Sequence, residues 1–180
     1  MARGIYAYTC DGHGASEIPE VQSQSTQLYN AAPLIPGLPD EENFHSLVPQ
    51  LYQFDYMDLK NSTLDCIGTI GTINDTAIVT LFEIATFEAR PYEFVLPPED
   101  VAYNGVWAHS RSRANSWDIY RVEVAGGVAP TCGSRATALE VGYAAEYWFY
   151  HSEGEDLLTD AAADDTEAMQ EDPRTTKMMI

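Results

Sequence analysis

Histidines and acidic side chains are the residues of this sequence with the widest chemical potential. The histidines lie on separate predicted segments, without the short spacing of two metal ligands on one element. His13 follows Asp11 in a glycine-containing turn, and turn chemistry explains this pair better than metal binding does. Folding could still bring two histidines together, but the sequence gives no sign of it. We predict no metal site at any of them: His13, His45, His109 and His151.

Two pairs of glutamates have a spacing of interest for glycoside hydrolysis, which needs two carboxyl groups across the scissile bond. Glu83 and Glu88 lie in one apolar segment, and Glu140 and Glu146 lie on one face of another. Acidic residues are so abundant in this chain that such pairs arise by chance. We therefore predict no catalytic residue and keep a hydrolase only as the second alternative function.

The common catalytic and nucleotide-binding motifs are missing from the sequence. It contains no GxSxG, HExxH, P-loop or GxGxxG pattern, so we expect a protein that is not an enzyme and needs no cofactor. Asn61-Ser62-Thr63 and Asn74-Asp75-Thr76 match the glycosylation pattern, although turn chemistry explains these residues better.

Aromatic side chains offer a second kind of binding chemistry. Trp107, Trp117 and Trp148 would stack on sugar rings if they were exposed, although burial is the commoner state of tryptophan. A carbohydrate- or ligand-binding domain is therefore the first alternative function.

The cysteines limit the covalent chemistry of the chain. Cys10, Cys66 and Cys132 are far apart and form no CxxC pair, which argues against zinc. One internal disulfide with one thiol left over is the most that they allow. We expect instead three reduced, mostly buried cysteines.

The segment 137–151 is expected to be the strand that organises the fold. Its alternation is typical of a strand with one face in a core. Gly142 and the aromatic run at 147–150 weaken the competing interpretation, a helix. The second face, which ends in Trp148 and Tyr150, should meet water or a neighbouring subunit. The face predicted to lie in the core comprises Leu139, Val141, Tyr143, Ala145, Tyr147 and Phe149.

Other segments also predict strands. Residues 76–88 are apolar on both faces, which favours one central strand with Phe82 in the core. The remaining strand predictions are a short edge strand at 5–10, a half-buried strand at 51–57, a bulged strand at 64–73, and strands at 106–109 and 117–124.

The two flanking regions differ from this pattern. Residues 15–49 are polar and rich in proline, which removes backbone donors, so we expect an extended arm or a long surface loop. Its residues 22–29 suit one or two helical turns. Residues 153–180 carry nine acidic residues against Arg174 and Lys177 and predict an acidic, partly ordered tail.

The formal net charge of −19 argues against a free-standing nucleic-acid binder and against attachment to an anionic membrane. The basic cluster at 109–113, HSRSR, suits local charge balance better than contact with an acidic neighbour or RNA phosphate. No run has membrane-spanning length, and the first residues lack a signal-peptide pattern. Unless the chain belongs to a virion, we therefore expect a soluble cytoplasmic protein.

The most economical architecture is all-β: an antiparallel β-sandwich, of jelly-roll type, over residues 1–152. Its apolar strands AIVTLFEIATFEARP and LEVGYAAEYWFYH, separated by proline-rich loops, resemble those of viral coat proteins. The resemblance covers about residues 50–151 and lacks a basic N-terminal arm. It implies a structural protein that self-assembles into a shell, with copies of itself and another capsid chain as partners and little contact with nucleic acid.

Overall fold

Antiparallel strands dominate the computed structural model of the chain. It describes residues 1–152, apart from 13, 15, 56, 57, 60, 74, 75, 115 and 134–136, together with the backbone of residues 176–179. The strands of this part are β1 Ala2–Cys10, β2 Glu20–Tyr29, β3 Cys66–Ile73, β4 Thr76–Leu81, β5 Ala85–Val95, β6 Trp107–Ser112, β7 Trp117–Gly126, β8 Thr137–His151 and β9 Thr176–Met179. A 3-10 helix at Ala32–Gly37 and two short helices, α1 Glu41–His45 and α2 Leu47–Gln53, lie between β2 and β3.

The first eight strands close into an antiparallel β-barrel. Each strand pairs with the next in sequence, and β1 also pairs with β8 from Ala2↔Ala145 to Cys10↔Thr137. The predicted β-sandwich of jelly-roll type is therefore wrong, and β1 is not an edge strand. Alternation identifies the buried face of each strand, but it does not distinguish two stacked sheets from one sheet that curves onto itself.

The apolar segment 76–88 forms a hairpin rather than one central strand. β4 ends at Leu81 and β5 begins at Ala85, with Glu83 in the left-handed region at φ 62°. Phe82, which we expected in the core, lies in the turn and is 45% exposed. The turn Phe82-Glu83-Ile84 contains neither glycine nor proline, so the usual signals of a hairpin are missing.

The predicted arm at 15–49 and the predicted strand at 51–57 are also wrong. β2 occupies 20–29 and lies between β1 and β3, with Thr26 and Leu28 buried inside the barrel. α2 covers 47–53, and its apolar residues Val48 and Leu51 have helical spacing and are buried against the barrel wall. Tyr52 and Gln53, which belonged to the predicted alternation, lie on the exposed side of this helix.

The strand predicted at 64–73 is confirmed as β3. A register shift opposite Leu28 and Tyr29 supplies the expected irregularity at the start of this strand. The strands predicted at 106–109 and 117–124 are confirmed as parts of β6 and β7.

The molecule has two apolar cores separated by the barrel wall. One core fills the barrel and includes Leu28, Val79, Leu81, Ile119, Tyr143 and Phe149. The other lies between the outside of the barrel and the helices and includes Tyr29, Phe44, Val48, Leu51 and Ala144. The helices thus cover part of the outer wall, as an amphipathic helix covers a sheet.

β8 contributes to both cores. The prediction of a strand at 137–151 is confirmed, and Tyr143, Ala145, Tyr147 and Phe149 face the barrel interior. The second face was expected to meet water or a neighbouring subunit, and this is wrong around Glu146, which is only 2% exposed beneath the chain's own helices.

The cysteine prediction is wrong as well. Cys10 and Cys132 form a disulfide across a sequence separation of 122, and Cys66 is exposed. The closure of the barrel explains the pairing, because Cys10 ends β1 beside the start of β8 and Cys132 lies in the loop that leads to β8.

None of the helices in the described part of the chain has the length and apolar composition needed to cross a bilayer. The predicted acidic tail at 153–180 lies outside the described residues, except for β9, which pairs with Trp148–His151 of β8.

Candidate functional site

A large open cleft lies on the rim of the barrel, where the helices meet the loop between β5 and β6. Its volume is about 770 Å³, within the range of small-molecule sites, roughly 300–1,000 Å³. α1 and α2 form one wall, residues 97–104 form another, and the end of β7 forms the floor. Its lining includes His45, Tyr52, Glu99, Tyr103, Trp107 and Glu123.

A β-bulge in β7 positions Glu123 on the floor of the cleft. The pairing of β7 with β8 shifts between Val122 and Ala125, so one strand carries an extra residue. Inward positions before the bulge are Ile119 and Arg121, and after it Val124 takes the inward place. The bulge therefore keeps Glu123 out of the barrel and directs its carboxyl group into the cleft.

The bulge holds Glu123 in an unusual backbone conformation. Its φ is 48°, in the left-handed region that favours glycine, and such a conformation persists only where the surrounding structure imposes it. Asp100, Gly126 and Gly127, which also line the cleft, have positive φ values too. Four of the six residues described with positive φ thus lie around this one cavity.

A buried carboxylate supports the histidine of the cleft. Glu146 Oε1 lies 2.8 Å from His45 Nδ1, and Trp148 Nε1 donates to Glu146 Oε2 over 3.1 Å. The second ring nitrogen of His45 lies 3.5 Å from Glu41 Oε1. Glu146 thus fixes the orientation of the imidazole, while its own burial keeps it from contact with a ligand.

Burial and neighbouring charges together shift the pKa values of two groups in the cleft. Burial lowers the pKa of His45, but the hydrogen bond to Glu146 and the charges of Glu146 and Glu123 outweigh it, so the pKa lies above its ordinary value. For Glu123, burial raises the pKa most, His45 lowers it, and Glu146 and Glu99 raise it further. The cleft therefore favours a protonated His45 and a carboxyl group that ionises less readily than usual.

Three aromatic rings line the same cleft. Tyr103 is 73% exposed on the loop, Tyr52 projects from α2, and Trp107 begins β6 and is half-buried. Tyr52 packs closely on Gly126, where an added Cβ would lie 2.6 Å from its ring. Asn104 Oδ1 accepts from the Gly126 amide over 3.1 Å and ties the loop to the floor.

Among the residues singled out from the sequence, the fold brings together His45, Glu146 and Trp107. Trp117 is buried in the barrel against Phe87, and Trp148 packs beside the helices. These two tryptophans therefore do not offer a free ring to a sugar.

The remaining glutamate candidates do not form catalytic pairs. Glu140 and Glu146 stand six residues apart on one strand, about 20 Å at 3.3 Å per residue, too far for the two carboxyl groups of a glycosidase. Glu83 lies in the hairpin turn, and Glu88 lies 3.7 Å from Arg113.

The other histidine candidates lie away from the cleft. His109 and Arg111 both contact Asp118 on the outer wall, at 2.6 and 2.9 Å, so local charge balance is confirmed for this basic cluster. His151 packs on Trp117 at the end of β8, and His13 lies outside the described residues. Among the described residues, no group of three or more metal-binding side chains is placed to hold an ion.

The functional residues missed in the sequence are Glu123, Tyr52 and Tyr103. The sequence did not indicate that these residues converge, because the bulge in β7 contains no glycine and α2 has the alternation of a strand. Only the acidic loop Pro97-Pro98-Glu99-Asp100 marked this region as irregular.

A model of the family described as "Protein of unknown function (DUF3455)" matches residues 1–151. The chain belongs to this family. The match ends at the last residue of β8, so DUF3455 comprises the whole barrel and its helical layer. No curated protein matches the chain. No solved structure matches it either.

Proposed function

We propose that this DUF3455 protein is a binding protein whose rim cleft takes a neutral carbohydrate. The observation that carries the proposal is the convergence of Tyr52, Tyr103 and Trp107 with the carboxyl group of Glu123 in one open cleft. Aromatic rings stack on the C–H face of a sugar ring, and carboxyl and amide groups bind its hydroxyls.

The charge of the cleft supports a neutral ligand over an anionic one. Glu42, Glu99, Asp100 and Glu123 line it, with His45 as the cation among the described lining residues. Like charges would repel an anionic ligand at this surface. An organic cation would be attracted, and it is therefore the competitor that the experiment includes.

The strained bulge supports a binding role for Glu123. A left-handed glutamate is costly to maintain, and such residues concentrate at functional sites. Glu146 is buried and already bonded to His45 and Trp148, so it holds the histidine in place rather than contacting a ligand.

The test is calorimetric titration of the full chain with cellotriose, maltotriose and chitotriose, and with spermidine as the cation. We expect one of the neutral sugars to bind and Tyr103→Ala to weaken it about tenfold, since loss of one stacked ring costs on the order of 1 kcal/mol or more. Tyr92→Ala is the matched control, because Tyr92 is 61% exposed on the outer wall, away from the cleft.

Three outcomes would contradict the proposal: binding of spermidine alone, equal effects of Tyr103→Ala and Tyr92→Ala, or hydrolysis of the bound sugar. Glu123→Gln provides an internal check. It preserves the size of the side chain but replaces one acceptor oxygen by an NH2 donor, so it should weaken binding without lowering the thermal midpoint.

A further inference from the structure

Arg121 projects into the barrel interior without an acidic partner among the described residues. Its Nη1 donates to the Tyr6 hydroxyl, and its Nη2 donates to the Val106 carbonyl over 2.9 Å. Its Nε is closed off from solvent and has no acceptor. A buried cation without a counter-charge is costly, because its desolvation is not offset by ionic attraction.

The groups around Arg121 are neutral phenols rather than carboxylates. Burial raises the pKa of Tyr6 and Tyr143 well above the ordinary value, so both hydroxyls remain protonated at neutral pH. Burial lowers the pKa of Arg121, but the oxygens of Tyr147, Tyr6 and Tyr143 outweigh this and raise it. The guanidinium therefore stays charged inside the barrel.

Hydrogen bonds among the other polar groups hold this cluster in place. Gln24 Nε2 donates to the Tyr143 hydroxyl over 2.7 Å, and Thr26 Oγ1 lies 2.6 Å from the same oxygen. The Tyr143 and Tyr147 hydroxyls are 3.1 Å apart, and the rings of Tyr6 and Tyr143 stack at 4.7 Å. These contacts hold the phenols beside the guanidinium, whose Nε stays without an acceptor.

A cavity of about 140 Å³ adjoins Arg121 within the barrel. Gln24, Ser110 and Tyr147 supply its other polar groups, while most of its lining is apolar, including Val79, Ala89 and Ile119. Phe94 also lines the cavity and is 58% exposed.

The dimensions of the cavity set the size of a ligand. An apolar cavity of about 150 Å³ holds one benzene molecule, and eight-stranded barrels have room for a single small ligand. The apolar lining disfavours a hydrated inorganic anion, because the walls could not replace its water.

From this lining and the unneutralised guanidinium, we propose that the barrel interior binds a small monocarboxylate with an apolar body about the size of one ring. Its carboxylate lies against Arg121 and Tyr147, and its body lies among Val79, Ala89 and Ile119. Charge-assisted hydrogen bonds from a guanidinium fork are the strongest of their kind, so the head group determines affinity. This site is independent of the rim cleft.

The first experiment compares benzoate with its neutral isostere benzamide, each titrated by calorimetry into the full chain. We expect benzoate to bind at least about tenfold more tightly and to raise the thermal midpoint, since a ligand that binds the native state stabilises it. Equal affinity for both compounds would overturn the proposal. So would the absence of benzoate binding, whether or not sulfate or chloride binds.

Substitutions then locate the site. Arg121→Met should weaken benzoate binding at least about tenfold and leave benzamide binding unchanged. Arg111→Met is the matched control, because Arg111 lies on the outer wall and bonds to Asp118. Equal losses in the two arginine variants would overturn the assignment to the barrel interior.

A third variant covers the possibility that Arg121→Met does not fold. Ala108→Leu fills the cavity, which Ala108 lines, and leaves the guanidinium in place. It should abolish benzoate binding without affecting oligosaccharide binding in the rim cleft. Benzoate binding that survives in Ala108→Leu would place the ligand elsewhere and overturn the proposal.

Discussion

The backbone of Glu123 is strained, and the same strained conformation places its side chain in the cleft. A glutamate at φ 48° has a conformational cost that glycine would not have, and the bulge that imposes it also points the carboxyl group into the cleft. The backbone strain and the directed side chain are therefore two results of a single local distortion.

We predict that Glu123→Gly is more stable than Glu123→Ala by about 1 kcal/mol, because only glycine relieves the left-handed strain. Both variants lose the carboxyl group, so their difference isolates the backbone. Chemical denaturation of the two proteins measures it. An alanine variant as stable as the glycine variant would show that the bulge is relaxed.

His45 should make the stability of the protein depend on pH. Its pKa is raised in the folded protein, so its contribution is fully present below the unfolded pKa and is lost as the pH rises through the folded value. We expect His45→Gln to lower the free energy of unfolding more at about pH 5.5 than at about pH 8.5. Urea denaturation at the two pH values is the measurement, and a loss that grows with pH would contradict the assignment.

At the scale of elements, the hairpin at 76–95 places Phe82 in a turn, so its truncation should cost much less stability than that of a core residue. Phe149 is 0% exposed inside the barrel, whereas Phe82 is 45% exposed in a turn. We predict that Phe149→Ala costs about 3–5 kcal/mol and that Phe82→Ala costs less than about 1 kcal/mol. Similar losses measured by denaturation would show that the turn is packed into the core.

Alternation in the sequence was sufficient to find the strands with one apolar face. β8 was predicted with its bounds, and so was the inward face at Tyr143, Tyr147 and Phe149. β2 was missed because its outward residues are polar and its flanks contain proline, while its inward residues Thr26 and Leu28 form a weak stripe.

Local sequence patterns could not predict the helices or the residues of the rim cleft. The end of α2 was predicted as a strand because the aromatic residues Tyr52 and Phe54 alternate with the polar residues Gln53 and Asp55. His45 and Glu146 are 101 residues apart, so their contact depends on the closure of the barrel. The bulge at Glu123 has no glycine, and its effect on residue orientation appears only from the pairing of β7 with β8.

At the scale of the whole molecule, the Cys10–Cys132 disulfide joins β1 to the loop before β8, near the seam where the barrel closes. A link across a separation of 122 residues restricts the unfolded chain strongly. We predict that reduction, or Cys10→Ser with Cys132→Ser, lowers the free energy of unfolding by up to about 5 kcal/mol. Cys66→Ser is the control and should change stability little, since Cys66 is exposed.

Self-assembly into a shell stays a prediction. It was inferred together with a sandwich that the chain does not form, and the two binding proposals above require only one copy of the chain. Native mass spectrometry distinguishes these views. If binding in the cleft is the whole function, a single-chain mass is expected, whereas a large symmetric particle would favour the shell.

β8 also forms part of the wall that separates the lumen of the barrel from the helix-covered side, where the rim cleft lies. Consecutive residues, Glu146 and Tyr147, face opposite sides, the first supporting the histidine of the rim and the second adjoining the guanidinium of the lumen. Between positions 143 and 149, a protein engineer could therefore alter the helix-covered side through even-numbered residues and the lumen through odd-numbered ones, whereas Val141 lines the rim cleft. Two ligand specificities could be tuned separately on a single stretch of backbone.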